Sequence, residues 1–215
     1  MTIGRKLLTA FSVFRESGTR GIINVIEQRH ISLTYRLRRR RLRIVIGAGG
    51  IYDRGWIATD IEDLNLLKAE HWQRLFKPSS IDALLAEHVW EHLSEEDGYK
   101  AARQCYEYLK PGGRLRVAVP DGFHPDPKYI DHVKPGGCGP GAHDHKVLYN
   151  YLTFSRIFEE AGFRVEPLEY FDANGLFNFV NWQPEDGKIH RSRGFDDRNV
   201  VRPLSYTSLI LDAWK

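Results

Sequence analysis

Short apolar runs rich in β-branched residues alternate with segments of helical periodicity through residues 42–215, and this alternation restricts the fold more than any other feature. Leu42–Ile46, Trp56–Thr59, Ile81–Ala86 and Leu115–Val119 each have the length and composition of a buried strand. Strands that alternate with helices favour a parallel sheet with helices on both faces. We therefore predict a doubly wound α/β fold with a mostly parallel sheet.

The remaining elements are predicted from capping signals and periodicity. A helix is expected to begin at Ser94–Asp97, which has the S-x-x-D pattern of a capping box. A further strand is predicted at Trp72–Phe76. The last two strands are predicted at Phe163–Tyr170 and Tyr206–Ala213, and the polar insertion between them, residues 171–205, is too long for a simple hairpin loop.

Residues 1–41 are predicted to form a separate basic arm. Residues 1–43 contain eleven Lys and Arg against two Glu, although the net charge of the chain is only +3. Such asymmetry indicates an anionic partner for the N-terminal segment. We favour a solvated tether that ends in Arg38–Arg41. Two alternatives remain: contact with nucleic-acid phosphates, and peripheral membrane contact through the basic residues together with Phe11 and Phe14.

A glycine-rich bend and an acid follow the first two predicted strands. Gly47, Gly49 and Gly50 come directly after the first strand, where glycine lets the backbone approach a ligand closely. Asp60 ends the second strand, where a carboxylate can accept hydrogen bonds from both hydroxyls of a ribose. Asp60 comes thirteen residues after Gly47, fewer than the ~20 residues of a dinucleotide fingerprint. The pair therefore indicates a nucleoside site and disfavours NAD.

Two longer stretches resemble the class I S-adenosylmethionine-dependent methyltransferases. They are AEHVWEHL at residues 86–93 and LKPGGRLRVAVPDG at residues 109–122, and the opening GAGG with WIATD resembles a compact bacterial subgroup. The resemblance extends over residues 42–170, and YTSLILDAWK at the end is similar to the seventh, antiparallel strand of the family. It implies a seven-stranded, Rossmann-like methyltransferase domain over residues 42–215, interrupted by the insertion at residues 171–205.

The resemblance also implies a role for each residue of the S-adenosylmethionine site. Gly47, Gly49 and Gly50 would border the methionine part and the ribose. Asp60 would hold the ribose hydroxyls, and Ile61 would border the adenine. The turn that contains Glu87 and His88 would lie beneath the sulfonium. An acid that often reads the adenine in the family is replaced here by Phe76–Ser80.

The loop at residues 121–146 is rich in Gly, His and Asp and supplies the catalytic candidates. Asp121 directly follows a predicted strand, so we rank Asp121 and His124 first as acceptor-positioning groups, and His145 next. A base is required only for an acceptor group that holds its proton tightly. A transition metal could bind His143–His145, but the spacing matches no standard zinc site, so we predict no metal.

We therefore expect transfer of a methyl group from S-adenosylmethionine to an oxygen or nitrogen of a small-molecule, saccharide or lipid-linked acceptor. The saccharide preference rests on the resemblance alone. One alternative is a nucleic-acid methyltransferase that uses the arm, although the sequence lacks an [ND]-P-P-[YF] motif. Another is a non-catalytic relative that binds the cofactor. No apolar run reaches 18 residues and the two Cys lack CxxC spacing, so we predict a cytoplasmic protein.

Overall fold

The structure, a computed structural model, describes residues 41–51, 53–201 and 204–215. All but the last residue of the predicted arm, residues 1–41, lies outside these. Seven strands pair into one sheet: β1 (Arg43–Ile46), β2 (Ile57–Thr59), β3 (Ile81–Glu87), β4 (Leu109–Pro120), β5 (Arg164–Phe171), β6 (Phe177–Phe179) and β7 (Ser208–Trp214). The helices are α1 (Ala69–Leu75), α2 (Glu95–Tyr108), α3 (Pro127–Val133), α4 (Tyr151–Glu160) and α5 (Arg198–Val201).

The strand order is β2-β1-β3-β4-β7-β5-β6. The three pairings from β2 to β4 are parallel, and the three pairings from β4 to β6 are antiparallel. The sheet is therefore mixed, which corrects the prediction of a mostly parallel one. The reversal arises because the last strand, β7, lies between β4 and β5 and because β6 folds back on β5. The antiparallel direction of β7 is the one that the family resemblance implied.

Two predicted elements differ from the observed ones. The strand expected at Trp72–Phe76 is wrong, because that segment belongs to α1 and its C-cap. Trp72, Leu75 and Phe76 recur at helical spacing, and all three are buried in the main core. The sheet still has seven strands because it contains β6, which lies inside the predicted insertion and is not predicted by the sequence.

The two faces of the sheet are covered differently in the described part of the chain. Helices α1, α2 and α4 pack on one face, in a core that includes Leu84. On the opposite face, Leu85 packs in a second core with Ile189, and Trp182 packs against it. Within residues 41–51, 53–201 and 204–215, helices thus cover one face, and a segment of the insertion replaces the second helical layer expected of a doubly wound fold. No helix in this part of the chain is long and apolar enough to cross a bilayer.

The start of α2 follows the predicted capping signal. The Ser94 hydroxyl oxygen accepts a hydrogen bond from the Asp97 N–H at 3.2 Å. This bond satisfies one of the amide donors that the first turn of a helix leaves without a partner. The helix ends at Tyr108, and the sequence Leu109–Gly113 forms the irregular beginning of β4 instead of a free loop.

A buried ion pair fastens the insertion to the sheet. Arg116 on β4 lies opposite Asp212 on β7, and its guanidinium Nε donates to Asp212 Oδ1 at 2.7 Å. The same guanidinium donates to the Gly187 carbonyl at 2.7 Å and lies 4.8 Å from the centre of the Trp182 ring. Arg116 Nη2 also donates to Asp212 Oδ2 at 2.8 Å, and Arg114 adds a third bond to Asp212, at 3.1 Å. One carboxylate therefore orients two arginines, and Arg116 in turn binds the insertion.

We predict that Asp212→Asn lowers the free energy of unfolding by about 3–5 kcal/mol, because it leaves buried Arg116 without its counter-charge. Chemical denaturation of the variant and the wild type measures the difference. The matched control is Glu185→Gln, which removes an exposed carboxylate from the same insertion. Equal unfolding free energies for Asp212→Asn and Glu185→Gln would show that the ion pair contributes no net stability.

Candidate functional site

A cleft of about 530 Å³ opens at the carboxyl ends of β1 and β3. Its walls come from four segments: the bend after β1, the turn after β3, the loop between α3 and α4, and the insertion. This volume lies in the range of small-molecule sites, about 300–1,000 Å³. The position agrees with the rule that ligands of α/β sheets bind beyond the carboxyl ends of the strands.

The bend after β1 depends on glycine. Gly47 has φ +64°, and a Cβ at this residue would lie 2.7 Å from Val89 Cγ2. Any larger residue would therefore push the bend away from the turn after β3. The Gly49 N–H donates to Asp60 Oδ1 at 2.9 Å. The Asp60 carboxylate thus faces the glycine bend.

The turn after β3 places His88 between two polar partners. His88 has φ +57°, a conformation that is strained for a residue with a side chain. Its Nδ1 lies 2.7 Å from Glu91 Oε1, and its Nε2 lies 2.9 Å from Ser208 Oγ. The Ser208 hydroxyl donates to the Arg191 carbonyl at 2.8 Å, so it accepts from His88 Nε2–H. Burial raises the pKa of the Glu91 carboxyl, but the neighbouring His88 outweighs that effect and the pKa is lowered on balance.

This serine, histidine and glutamate are arranged as in a hydrolase triad, but they cannot act as one. Ser208 is completely buried, so no substrate can reach its hydroxyl. The Ser208 proton is also directed to the Arg191 carbonyl and not to His88. The three residues instead connect the end of β3 to β7 and to the insertion.

Carboxylates of the sheet hold the insertion over the cleft. Glu87 at the end of β3 accepts hydrogen bonds from the N–H groups of His190 and Arg191, at 2.9 and 2.7 Å. Arg198 is held by a bidentate pair with Asp196, at 2.8 and 2.6 Å. These contacts bring three cationic side chains of the insertion to the cleft wall: Lys188, Arg191 and Arg198.

The structure brings together most, but not all, of the residues predicted from the sequence. Those that line the cleft are Gly47, Gly49, Glu87, His88 and His145. Asp60 adjoins the cleft wall through Gly49, and Ile61, which follows it, is 65% exposed. Gly50, at φ +86°, continues the bend without lining the cleft.

Asp121 and His124 do not line the cleft. Asp121 is fully buried, and its two carboxylate oxygens accept hydrogen bonds from the N–H groups of Phe123 and Phe171, at 2.9 and 2.7 Å. His124 stacks on Tyr129 with ring centres 3.9 Å apart. These placements give Asp121 and His124 structural contacts and correct the expectation that they face the acceptor. Asp121 follows β4 as predicted, but its side chain turns toward β5.

Sequence reasoning missed several residues of the cleft wall. Glu91, Lys188, Arg191, Arg198 and Tyr206 all line it. The one available signal was the density of charge in KIHRSRGFDDR, which is unusual for a segment without predicted helices or strands. Glu91 lies within the AEHVWEHL motif, but the motif alone does not mark it as a residue of the cleft.

Residues 56–117 match the family model described as a methyltransferase domain. The matched segment runs from β2 to β4 and includes the turn that carries Glu87 and His88. The sheet that contains this segment also has the antiparallel β7 between β4 and β5. The chain therefore contains a segment that matches a methyltransferase domain, in agreement with the motifs of the sequence.

Several solved structures are similar to the chain at low identity. The chain is similar to a SAM-dependent methyltransferase from Archaeoglobus fulgidus, with 15% identity, a TM-score of 0.48 and coverage of 95% of this chain and 98% of that one. It is also similar to a possible histamine N-methyltransferase from Thermotoga maritima, with 14% identity, a TM-score of 0.45 and coverage of 96% and 99%. A phosphoethanolamine N-methyltransferase from Haemonchus contortus, in complex with S-adenosylmethionine, has 13% identity, a TM-score of 0.41 and coverage of 96% and 56%. No curated protein matches the sequence.

We predict that Asp121 makes the free energy of unfolding of the protein fall as pH rises. Burial raises the pKa of this carboxyl from 3.8 to about 6, against the opposing effect of its two backbone hydrogen bonds. Between these values the unfolded chain is ionised and the folded chain is protonated. The stability present below pH 3.8 is therefore lost as pH rises through 6, by on the order of 3 kcal/mol.

The measurement is the free energy of unfolding of the wild type and of Asp121→Asn at pH 4 and pH 7. The asparagine side chain of the variant does not titrate, so the difference between the two proteins should shift in favour of the variant by roughly 3 kcal/mol between the two pH values. A difference that is the same at both pH values would mean that Asp121 is ionised throughout this range.

Proposed function

We propose that the methyltransferase transfers a methyl group from S-adenosylmethionine to an oxygen or nitrogen of a small, anionic acceptor bound in the cleft beside the insertion. The observation that carries this proposal is the contact between the Gly49 N–H and Asp60 at the mouth of a cleft lined by the glycine bend. Methyl transfer needs a donor pocket and an acceptor pocket that meet at one point. The walls of this cleft differ enough in charge to supply both.

The donor pocket lies between the glycine bend and the turn after β3. Asp60 uses Oδ1 to accept from Gly49, which leaves Oδ2 for the ribose hydroxyls. Ile61 follows with an exposed apolar side chain on which an adenine could lie. Glu87 and His88 line the cleft next to the bend and would lie beneath the sulfonium end. The residues present therefore fit the nucleoside.

The acceptor pocket is formed by the insertion and the loop between α3 and α4. Lys188 and Arg191 line it, and neither forms an ion pair with a carboxylate among the described residues. Arg198 is held in place by Asp196 and stacks on Tyr206, with its guanidinium carbon 3.5 Å from the ring centre. Lys188 and Arg191, which have no carboxylate partner among the described residues, favour a phosphate or carboxylate on the acceptor. Phosphorylated or acidic saccharides and small molecules fit this description.

When bound, S-adenosylmethionine supplies a methyl group on a good leaving group, so the protein mainly has to align the acceptor. Alignment of two reactants can lower a barrier by about 7–11 kcal/mol. Lys188, Arg191 and Arg198 would anchor the anionic group at a fixed distance from the reacting atom. Of the three residues predicted as catalytic, His145 lines the cleft, and we retain it as an acceptor-positioning residue.

We predict that Asp60→Asn weakens binding of S-adenosylmethionine by about 10- to 100-fold, measured by calorimetry. The Asn carbonyl can still accept from Gly49, so the bend is kept, but the charge-assisted bond to the ribose is lost, at about 1.5–3 kcal/mol. The matched control is Glu62→Gln, which removes an exposed acid two residues away and should bind normally. Wild-type protein that binds no S-adenosylmethionine would refute the proposed donor pocket.

We predict that Arg191→Gln weakens binding of inorganic pyrophosphate by roughly tenfold or more, because one charge-assisted hydrogen bond is lost. Calorimetry in the presence of S-adenosylhomocysteine measures this affinity. Arg193→Gln is the control, because Arg193 belongs to the same segment but stacks on Phe179 outside the cleft wall. An equal loss in both variants would indicate general charge attraction and not an acceptor pocket.

A further inference from the structure

One end of the cleft holds a cluster of three possible metal ligands. They are Glu91, His92 and His145, and each offers a ligand atom that lies within 4.8 Å of the other two. All three residues line the cleft wall. Glu91 and His92 are adjacent, but His145 belongs to the loop between α3 and α4, so no local motif reveals the cluster.

The backbone fixes the relative position of these residues. Glu91 and His92 belong to a 3₁₀ turn, Trp90–His92, that follows β3. The Glu91 carbonyl accepts a hydrogen bond from the Lys146 N–H at 2.7 Å, which ties the residue after His145 directly to Glu91. This backbone bond holds the two segments together, so the three side chains extend from neighbouring backbone positions at one end of the cleft.

Both histidines are oriented as metal-binding histidines are. His145 Nδ1 lies 2.7 Å from the Val133 carbonyl, and His92 Nδ1 lies 3.2 Å from Asp144 Oδ2. A ring nitrogen that donates to a carbonyl or carboxylate leaves the lone pair on Nε2. Metal-bound histidines characteristically use their second nitrogen in this way.

The third group, Glu91, is a buried carboxylate whose Oε2 has no hydrogen-bond donor in the described part of the chain. It is 1% exposed, and its Oε1 lies 2.7 Å from His88 Nδ1. His88 approaches Oε1 as an ion-pair contact, which leaves Oε2 without a donor in this part of the chain. A buried anionic oxygen without a donor is costly, and a cation would satisfy it.

We propose that Glu91, His92 and His145 bind a divalent transition-metal ion of the zinc type. Two imidazoles and one carboxylate are a common ligand set for a site that keeps a coordination position open. This proposal replaces the prediction of no metal, which rested on spacing in sequence alone. Cys138 and His132 are a competing pair, since Cys138 Sγ lies 3.7 Å from His132 Nδ1.

The chemical purpose of the ion rests on the proposed function. An acceptor oxygen bound at the open position would be oriented toward the donor pocket, and the ion would make that oxygen easier to deprotonate. Binding of the metal itself does not depend on methyl transfer. The two ideas can therefore fail separately.

The test is a titration of the full chain, purified without a histidine tag and stripped of metal, with Zn²⁺ by calorimetry and with Co²⁺ by visible absorption. We expect one equivalent to bind, with a tetrahedral Co²⁺ spectrum. His145→Ala and His92→Ala should each weaken binding by more than about 100-fold, since each removes a ligand. Asp144→Asn, which alters only the partner of His92, should weaken it by about 10- to 100-fold.

The matched control is His143→Ala, which removes an exposed histidine from the same loop and should bind metal like the wild type. Thermal unfolding of each variant without metal checks that the fold is intact. Absence of stoichiometric binding in the wild type would overturn the proposal. So would binding that survives His145→Ala and is lost in Cys138→Ser. S-adenosylmethionine binding to the metal-free protein tests the donor pocket independently.

Discussion

The structure depends on carboxylates of the sheet that hold the polypeptide of the insertion. A segment without regular secondary structure covers the second face of the sheet, so its backbone groups need partners that a helix would have supplied. Glu87 receives two N–H groups, and Glu169 receives the Arg193 N–H and the Trp182 indole N–H, at 2.8 and 2.9 Å. Asp212 acts through Arg116, which donates to the Gly187 carbonyl. These acids, directly or through Arg116, bind backbone groups of the segment that covers this face in place of a helical layer.

This use of acids determines the charge of the cleft. Glu87 would be expected to favour cations, but both of its oxygens are occupied by backbone donors of the insertion. The same bonds carry Lys188 and Arg191 to the wall, where no acid neutralises them in the described part of the chain. Glu87 is thus used for folding, and Lys188 and Arg191 line the cleft without a neutralising acid among the described residues. A net charge of only +3 for the chain gives no sign of this separation.

The sequence could predict what depends on local pattern. β1, β3, β5, β7 and the start of α2 lie within a residue or two of their predicted positions, because apolar runs and capping residues act over short distances. Trp72–Phe76 was misassigned, since a short apolar segment has no decisive period. Gly47, Asp60 and His88 could be placed by a motif, and the structure keeps them together.

The rest depends on contacts between distant segments. Asp121 follows a strand, as catalytic acids often do, yet its carboxylate bonds to Phe171, fifty residues away in sequence. Lys188 and Arg191 reach the cleft because the insertion returns over β3, and no residue near Arg191 in the sequence predicts that path. The residue that holds the insertion there is Glu87, to which the family resemblance gives a role at the cofactor. One residue can satisfy a motif and still perform a structural task that the motif does not record.

His88 shows how the parts of the site are coupled. Its strained backbone costs of order 1–3 kcal/mol and persists only where surrounding contacts require it. Those contacts are Glu91 on one side and Ser208 on the other, and Ser208 also binds the Arg191 carbonyl. The turn beneath the donor pocket is therefore connected through one imidazole to the proposed metal ligand Glu91 and to the cationic wall. A ligand that repositions Glu91 would change a contact that supports His88, so we expect occupancy at one end of the cleft to change affinity at the other.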